Sequence, residues 1–431
     1  MTRRDSAGSR KWFKLVRRAG WGVGDQAFSS LTNFALGILM ARTQGPKGFG
    51  AFSLAFATYV VILNVSRALS TEPLVVRYST ASLSEWQQGA GAATGTALAV
   101  GVVAGAACAF VGWHSGGAIG GAFLALGLTM PGLMLQDSWR YAFFARGRGA
   151  QAFLNDAMWA VVLFPALGLI VWIGHASVFW LTVAWGGAAT VAGLVGILQA
   201  RLVPRPFKAS QWLRRQWDLV PRFLGEFMAL IGTTQLSLYV IGGIAGLEAV
   251  GAIRAAQILL GPVYAFSIGV RLAATPEAVR LLKRSSTKRL RRMCALLSGG
   301  LATVTLVWGL VAQFVPSRAG VAILASSWLP AHRVLVPITI VMAAGGAIGG
   351  TTVGLRALAA ARRSLRARVW SSGVRLGAAA VGAAVGGAVT ASWALAAASF
   401  VSVVIYWKQF GTGLQEYQRV ERRPSEVPVS S

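Results

Sequence analysis

The sequence predicts an all-α polytopic membrane protein, about twelve transmembrane helices in two six-helix lobes, and three observations predict it. Hydrophobic residues make up 55% of the 431-residue chain and charged residues only 13%. A soluble domain of this length does not keep that balance in solution. Apolar runs of about 20 residues, enough helix to cross about 30 Å of hydrocarbon, recur along the whole chain. They fall near 19–41, 49–71, 89–112, 117–138, 155–174, 177–199, 223–245, 249–274, 293–315, 334–355, 370–390 and 392–410. The third observation is an internal echo. Gly24, Asp25, Gly45 and Gly50 return 201 residues later as Gly225, Glu226, Gly246 and Gly251, with apolar residues filling both intervals. A second echo, at an offset of 216, sets WRYAFFARGR from Trp139 against LRALAAARRS from Leu355. Two related halves follow, as in many transporter folds.

Residues 1–18 interleave Trp12, Phe13, Leu15 and Val16 with Lys11, Lys14, Arg17 and Arg18, the pattern of a basic interfacial helix. The apolar run that follows continues to about Met40 with no small-residue cleavage site, so it reads as a retained first span. Residues 19–200 are the expected N-terminal lobe, spans one to six. Gly45, Pro46, Gly48 and Gly50 supply a tight turn after the first span. The third and fourth spans are rich in Gly and Ala, which lets helix backbones approach closely. Residues 201–222 mix Pro204, Pro206 and Pro221 with Phe207, Trp212, Trp217 and several cations, and read as a basic amphipathic linker tethering two lobes that rock. Residues 223–410 are the expected C-terminal lobe. Residues 411–431 form a polar tail expected to be disordered.

The net charge of +28 is placed unevenly. Alternate connections collect most of the Lys and Arg, and the opposite side receives only Arg42, Lys47, Arg318 and Arg333. The positive-inside rule then puts both termini in the cytoplasm and the chain in the cytoplasmic membrane. The basic loops suit anionic lipid headgroups rather than nucleic acid. Cys108 and Cys294 fall in spans of different halves, which gives no basis for a disulfide-linked partner or a metal site.

Ionisable groups at membrane depth are costly and so are the candidates for function. Asp25 and Glu226 sit at equivalent places near the start of the first and seventh spans; the competing reading pairs them with Arg18 and Arg222 at the interface. Arg67 and Arg271 occupy similar depths in the second and eighth spans, Arg254 sits near the other end of the eighth, and Arg375 lies in the eleventh. Each either snorkels to the interface or binds phosphate through its planar fork. Asp137 and Asp156 flank a short arginine loop and are expected to pair locally or cap a helix. His114, His175 and His332 are too dispersed to ligate metal, and the chain has neither a P-loop nor a GxSxG. No enzyme, metal or cofactor is expected.

The segment ARTQGPKGFGAFSLA after the first span resembles the A-R-x-x-G-P-x-x-F-G opening of polysaccharide and oligosaccharide flippases in the multidrug/oligosaccharidyl-lipid/polysaccharide (MOP) exporter superfamily. The later LASSWLPAHRVLVPI followed by LRALAAARRSLRARV is similar to that family's second-half pattern. The resemblance implies a MATE-like V of two lobes with spans one, two, seven and eight lining a cleft, which would carry Asp25, Arg67, Glu226, Arg254 and Arg271. It implies a flippase for a polyprenyl-pyrophosphate-linked oligosaccharide working by alternating access. Arg67, Arg254 and Arg271 would hold the headgroup, and Asp25 or Glu226 would carry a coupling ion. Its partners would be the lipid-linked glycan, anionic lipids and glycan-assembly membrane proteins. The alternatives are a multidrug antiporter of the same superfamily, against which the scarcity of membrane acids argues, and a non-transporting scaffold for glycan assembly.

Overall fold

In a computed structural model the described residues are 3–227, 233–283 and 287–421. They form two compact units, Met1–Gln235 and Leu236–Ser431.

The first unit contains α1 (Arg3–Leu69), α2 (Thr71–Tyr78), α3 (Leu83–Ser115), α4 (Gly117–Ala145), α5 (Gly149–Trp172), α6 (Val178–Ala200), α7 (Ala209–Gln216) and α8 (Val220–Phe227). Helix α1 is bent at Gly45, whose φ of 63° and ψ of 179° are open to glycine and strained for other residues. The chain doubles back there. Thr32 and Asn33 before the bend lie beside Asp156, while Arg67 after it lies on Asp137.

Helices α3 and α4 pack backbone to backbone. A Cβ on Gly105 would stand 2.6 Å from the Gly127 carbonyl oxygen, and one on Gly127 would stand 2.5 Å from the Ala109 nitrogen. Where hydrocarbon surrounds both helices, such closeness supplies the dispersion contacts that hold them together. Around this seam Trp86, Trp139 and Phe143 are fully buried.

The second unit contains α9 (Thr233–Leu259), α10 (Gly261–Lys283), α11 (Thr287–Gln313), α12 (Ser317–Leu324), α13 (Trp328–Ala357) and α14 (Ala361–Glu421). Helix α9 is bent at Gly246 with φ 84° and ψ 174°, the conformation of Gly45 at the position the 201-residue echo assigns to it. Helix α14 reverses at Gly386 and Gly387, so that Arg363 near its start reaches Glu416 near its end, with Nε donating to Oε2 at 2.7 Å. Among the described residues nine helices are long and apolar enough to cross a membrane, and three of these, α1, α9 and α14, contain a bend at glycine. The expected dozen crossings are compatible with that.

Three expectations change. The second echo runs at an offset of 212, not 216. Three backbone bonds close the end of α4: Arg146 N–H to Ala142 O, Gly147 N–H to Phe144 O and Arg148 N–H to Phe143 O. The end of α13 is closed by Leu358 to Gly354, Ala359 to Arg356 and Ala360 to Leu355, each 212 residues on. Gly147 and Ala359 both take positive φ, 73° and 51°. Backbone caps are set by geometry, whereas the letter match at 216 came from abundant Ala and Arg.

The linker is the second change. Residues 201–227 belong to the first unit, because Trp212 is buried with its indole N–H on Leu69 O at 3.0 Å and Arg77 clamps α7. The Arg77 guanidinium donates to Arg215 O at 2.7 Å, Gln216 Oε1 at 2.8 Å and Asp218 Oδ2 at 2.6 Å. The third change is the tail. Residues 411–421 are helical, since Leu414 and Tyr417 pack into the second unit's core beside Phe410 and Gln418 reaches Thr287.

Candidate functional site

Helix α4 builds the first polar centre. Gln136, Asp137, Arg140 and Tyr141 fall on neighbouring stripes of one helical face, a turn apart in pairs, in an otherwise apolar helix. Asp137, 5% exposed, receives both arms of Arg67: Nε donates to Oδ2 at 2.9 Å and Nη2 to Oδ1 at 2.6 Å. The guanidinium also lies 4.9 Å from the centre of the Tyr141 ring, a cation–π contact.

One turn further along α4, Arg140 is 3.7 Å from Asp156 of α5. Gln136 donates to the other oxygen of Asp156 at 2.7 Å and to Asn155 at 3.3 Å. Asn155 in turn donates to Ala192 O at 2.8 Å and Gln199 Oε1 at 3.0 Å on α6. Thr32, Asn33, Asp156 and Trp159 line a small recess at its edge. Asp137 and Asp156 are therefore each paired with a guanidinium, and Asp156 is hydrogen-bonded to Gln136 as well, which offsets the cost of burying them.

The second unit is furnished differently. Arg271 on α10 has its Nε on the Ser267 carbonyl at 3.2 Å, one turn back, and no described carboxylate pairs with it. Its stem passes Gly349 of α13: a Cβ there would stand 3.2 Å from Arg271 Cδ. Arg254 on α9 donates to Gln257 Oε1 at 3.0 Å. Arg375 on α14 has a buried Nε with no hydrogen-bond partner. Guanidinium groups set in apolar helices this way can take an anion in a planar, two-pronged grip.

No protein-family profile matches the sequence, and no curated protein matches it either. Solved structures do match. A multidrug resistance MATE family transporter of the MOP superfamily, in an inward-facing conformation, superposes with a TM-score of 0.69 at 13% identity, covering 91% of this chain and 96% of the transporter. The lipid II flippase MurJ, in an inward closed conformation, gives 0.66 at 12% identity, with 92% and 90% covered. An outward-facing MATE transporter gives 0.55 at 12% identity over 95% of this chain and 96% of the other. The chain shares the fold of these proteins.

Within that fold the candidates read from the sequence separate. Arg67 is committed to Asp137, so a ligand would have to displace a bidentate carboxylate to reach it. Arg254 and Arg271 lie in the second unit, and Arg271 stands beside Gly349. Asp25 and Glu226 are in α1 and α8, and their side chains lie outside the described residues. The local pairing expected near Asp156 is present with Arg140, but Asp137 is held by Arg67, 70 residues away in sequence. The fourth apolar run ends near residue 138, whereas α4 continues to Ala145. The four polar residues on one face of that helix were the signal for the network.

Proposed function

We propose that this chain is a transporter of the flippase type that moves a polyprenyl-pyrophosphate-linked oligosaccharide across the cytoplasmic membrane by alternating access. One observation carries this reading: α9, α10 and α14 of the second unit bear Arg254, Arg271 and Arg375 within their apolar stretches, whereas the acids Glu248, Glu277 and Glu416 of the same helices are exposed, Glu248 beside the Gly246 bend and the other two toward helix ends. An interior poor in acids and supplied with guanidinium groups favours an anionic headgroup over a cationic drug. The prenyl tail would stay in lipid while the headgroup is held by charge-assisted hydrogen bonds.

The lipid II flippase is a neighbour in fold, which supports a lipid-linked substrate. The multidrug transporters are neighbours too, and they support the second reading, an exporter of small molecules. Asp25 and Glu226 are the candidates for ion coupling. Both termini and the basic loops would face the cytoplasm, where the exposed cations beside Phe207 and Trp217 would meet anionic lipid.

The test is reconstitution in vesicles. A fluorescent prenyl-pyrophosphate oligosaccharide should cross the bilayer with the parent protein and at less than about a tenth of that rate with Arg254→Ala/Arg271→Ala, the loss expected when charge-assisted contacts go. Unimpaired crossing in the double variant, or efflux of cationic dyes in its place, defeats the reading.

A further inference from the structure

The two units carry the same arginine but not the same acid. The caps of α4 and α13 fix their register at 212 residues, and at that register Asp137 coincides with Gly349. The arginines match as well. Arg67 lies on the helix after the Gly45 bend and Arg271 follows the Gly246 bend, three residues beyond strict equivalence. Each meets its own unit's α4 or α13 at the corresponding residue: Arg67 bonds the Asp137 carboxylate, and the Arg271 stem lies against Gly349. A repeat that positions a guanidinium twice thus neutralises it once.

We infer that Gly349 is the residue that keeps Arg271 open to an exogenous anion, so that the second unit holds a phosphate-class binding site whose first-unit counterpart is closed by Asp137. The physical argument is one of substitution. In the first unit the carboxylate takes the Nε and Nη2 donors along one edge of the guanidinium and neutralises its charge. In the second unit the single Nε bond to Ser267 O leaves the remaining N–H donors for a ligand, and among the described residues no acid competes for them. Glycine at 349 removes the carboxylate and also clears the space beside the stem. Leu301 Cδ1 and Arg271 Cδ would stand 3.0 and 3.2 Å from a Cβ there, both on flexible side chains that can give way.

This deepens the proposed function and rests on it for the identity of the anion. The binding site itself can be tested apart from transport. Full-length protein in nanodiscs of zwitterionic lipid would be titrated with inorganic pyrophosphate, bound ligand being read by equilibrium dialysis. Gly349→Asp, which installs the missing carboxylate, should weaken binding at least about ten-fold, the worth of a charge-assisted contact. Gly349→Asn, equal in bulk and uncharged, should stay within about two-fold of the parent because it adds no competing charge. If Gly349→Asp fails to fold, Arg271→Gln in the parent background should show the same ten-fold loss. Equal weakening by Asp and Asn at 349, or parent-like binding in Arg271→Gln, overturns the inference. Two further outcomes separate it from the transport reading. Pyrophosphate binding that follows Arg271 and Gly349 in a protein that moves no glycolipid leaves this site standing and removes the flippase. Glycolipid movement that ignores Gly349→Asp does the opposite.

Discussion

Asp137 is where a single substitution should cost most. Its carboxylate is 5% exposed and holds Arg67 through two bonds, so Asp137→Ala leaves a buried guanidinium without its counter-charge. Breaking such a pair from one side costs about 3–5 kcal/mol, whereas replacing both partners with apolar residues of similar size is often neutral. Asp137→Ala should therefore lower the melting temperature of the purified protein sharply, while Arg67→Met/Asp137→Leu should recover most of the loss. A double variant no better than the single one would mean that Asp137 is held by more than the ion pair. Arg67 was recognisable in the sequence as an arginine at membrane depth, but its partner was not. The two residues are 70 positions apart, and only the doubling back at Gly45 brings their helices together.

At the scale of helices, the bends were the most legible feature and the caps the least. Gly45 and Gly246 stood out because the same residue recurred at the same offset, and backbone with φ near +60 to +85° and ψ near 180° is a region essentially reserved for glycine. Alanine at either bend should cost about 1–3 kcal/mol. Gly225, in α8 with nothing within 4 Å of an added Cβ, should instead gain up to about 1 kcal/mol as alanine, by helix propensity. Opposite signs for the same chemical change, read as melting shifts, separate the bend argument from a general effect of alanine; equal signs would remove it. The end of α13 was misread because Ala359 takes the positive φ that Gly147 takes in the first unit, and alanine in that role leaves no mark in the letters. The linker was misread for another reason. Its prolines and cations do describe a surface segment, but whether Trp212 faces a bilayer or a protein seat depends on Leu69 and Arg77, which lie far back in the chain.

At the scale of the whole molecule, the class could be read directly, because apolar run length answers to bilayer thickness and not to the details of packing. Orientation rests on a different signal, the uneven distribution of Lys and Arg, and it can be tested with little disturbance. The two native cysteines, Cys108 and Cys294, are buried and free, so a membrane-impermeant maleimide should leave the parent protein nearly unlabelled. Ser115, exposed at the end of α3, and Ser210, exposed on α7, are at the two kinds of connection that the charge bias sets on opposite sides of the membrane. Serine to cysteine is close to isosteric at both. In intact cells Ser115→Cys should label and Ser210→Cys should not, and permeabilising the membrane should make Ser210→Cys label fully. The reverse pattern would place the basic loops outside, and would then require the anionic headgroup to be drawn toward the side that the positive-inside rule keeps poor in positive charge.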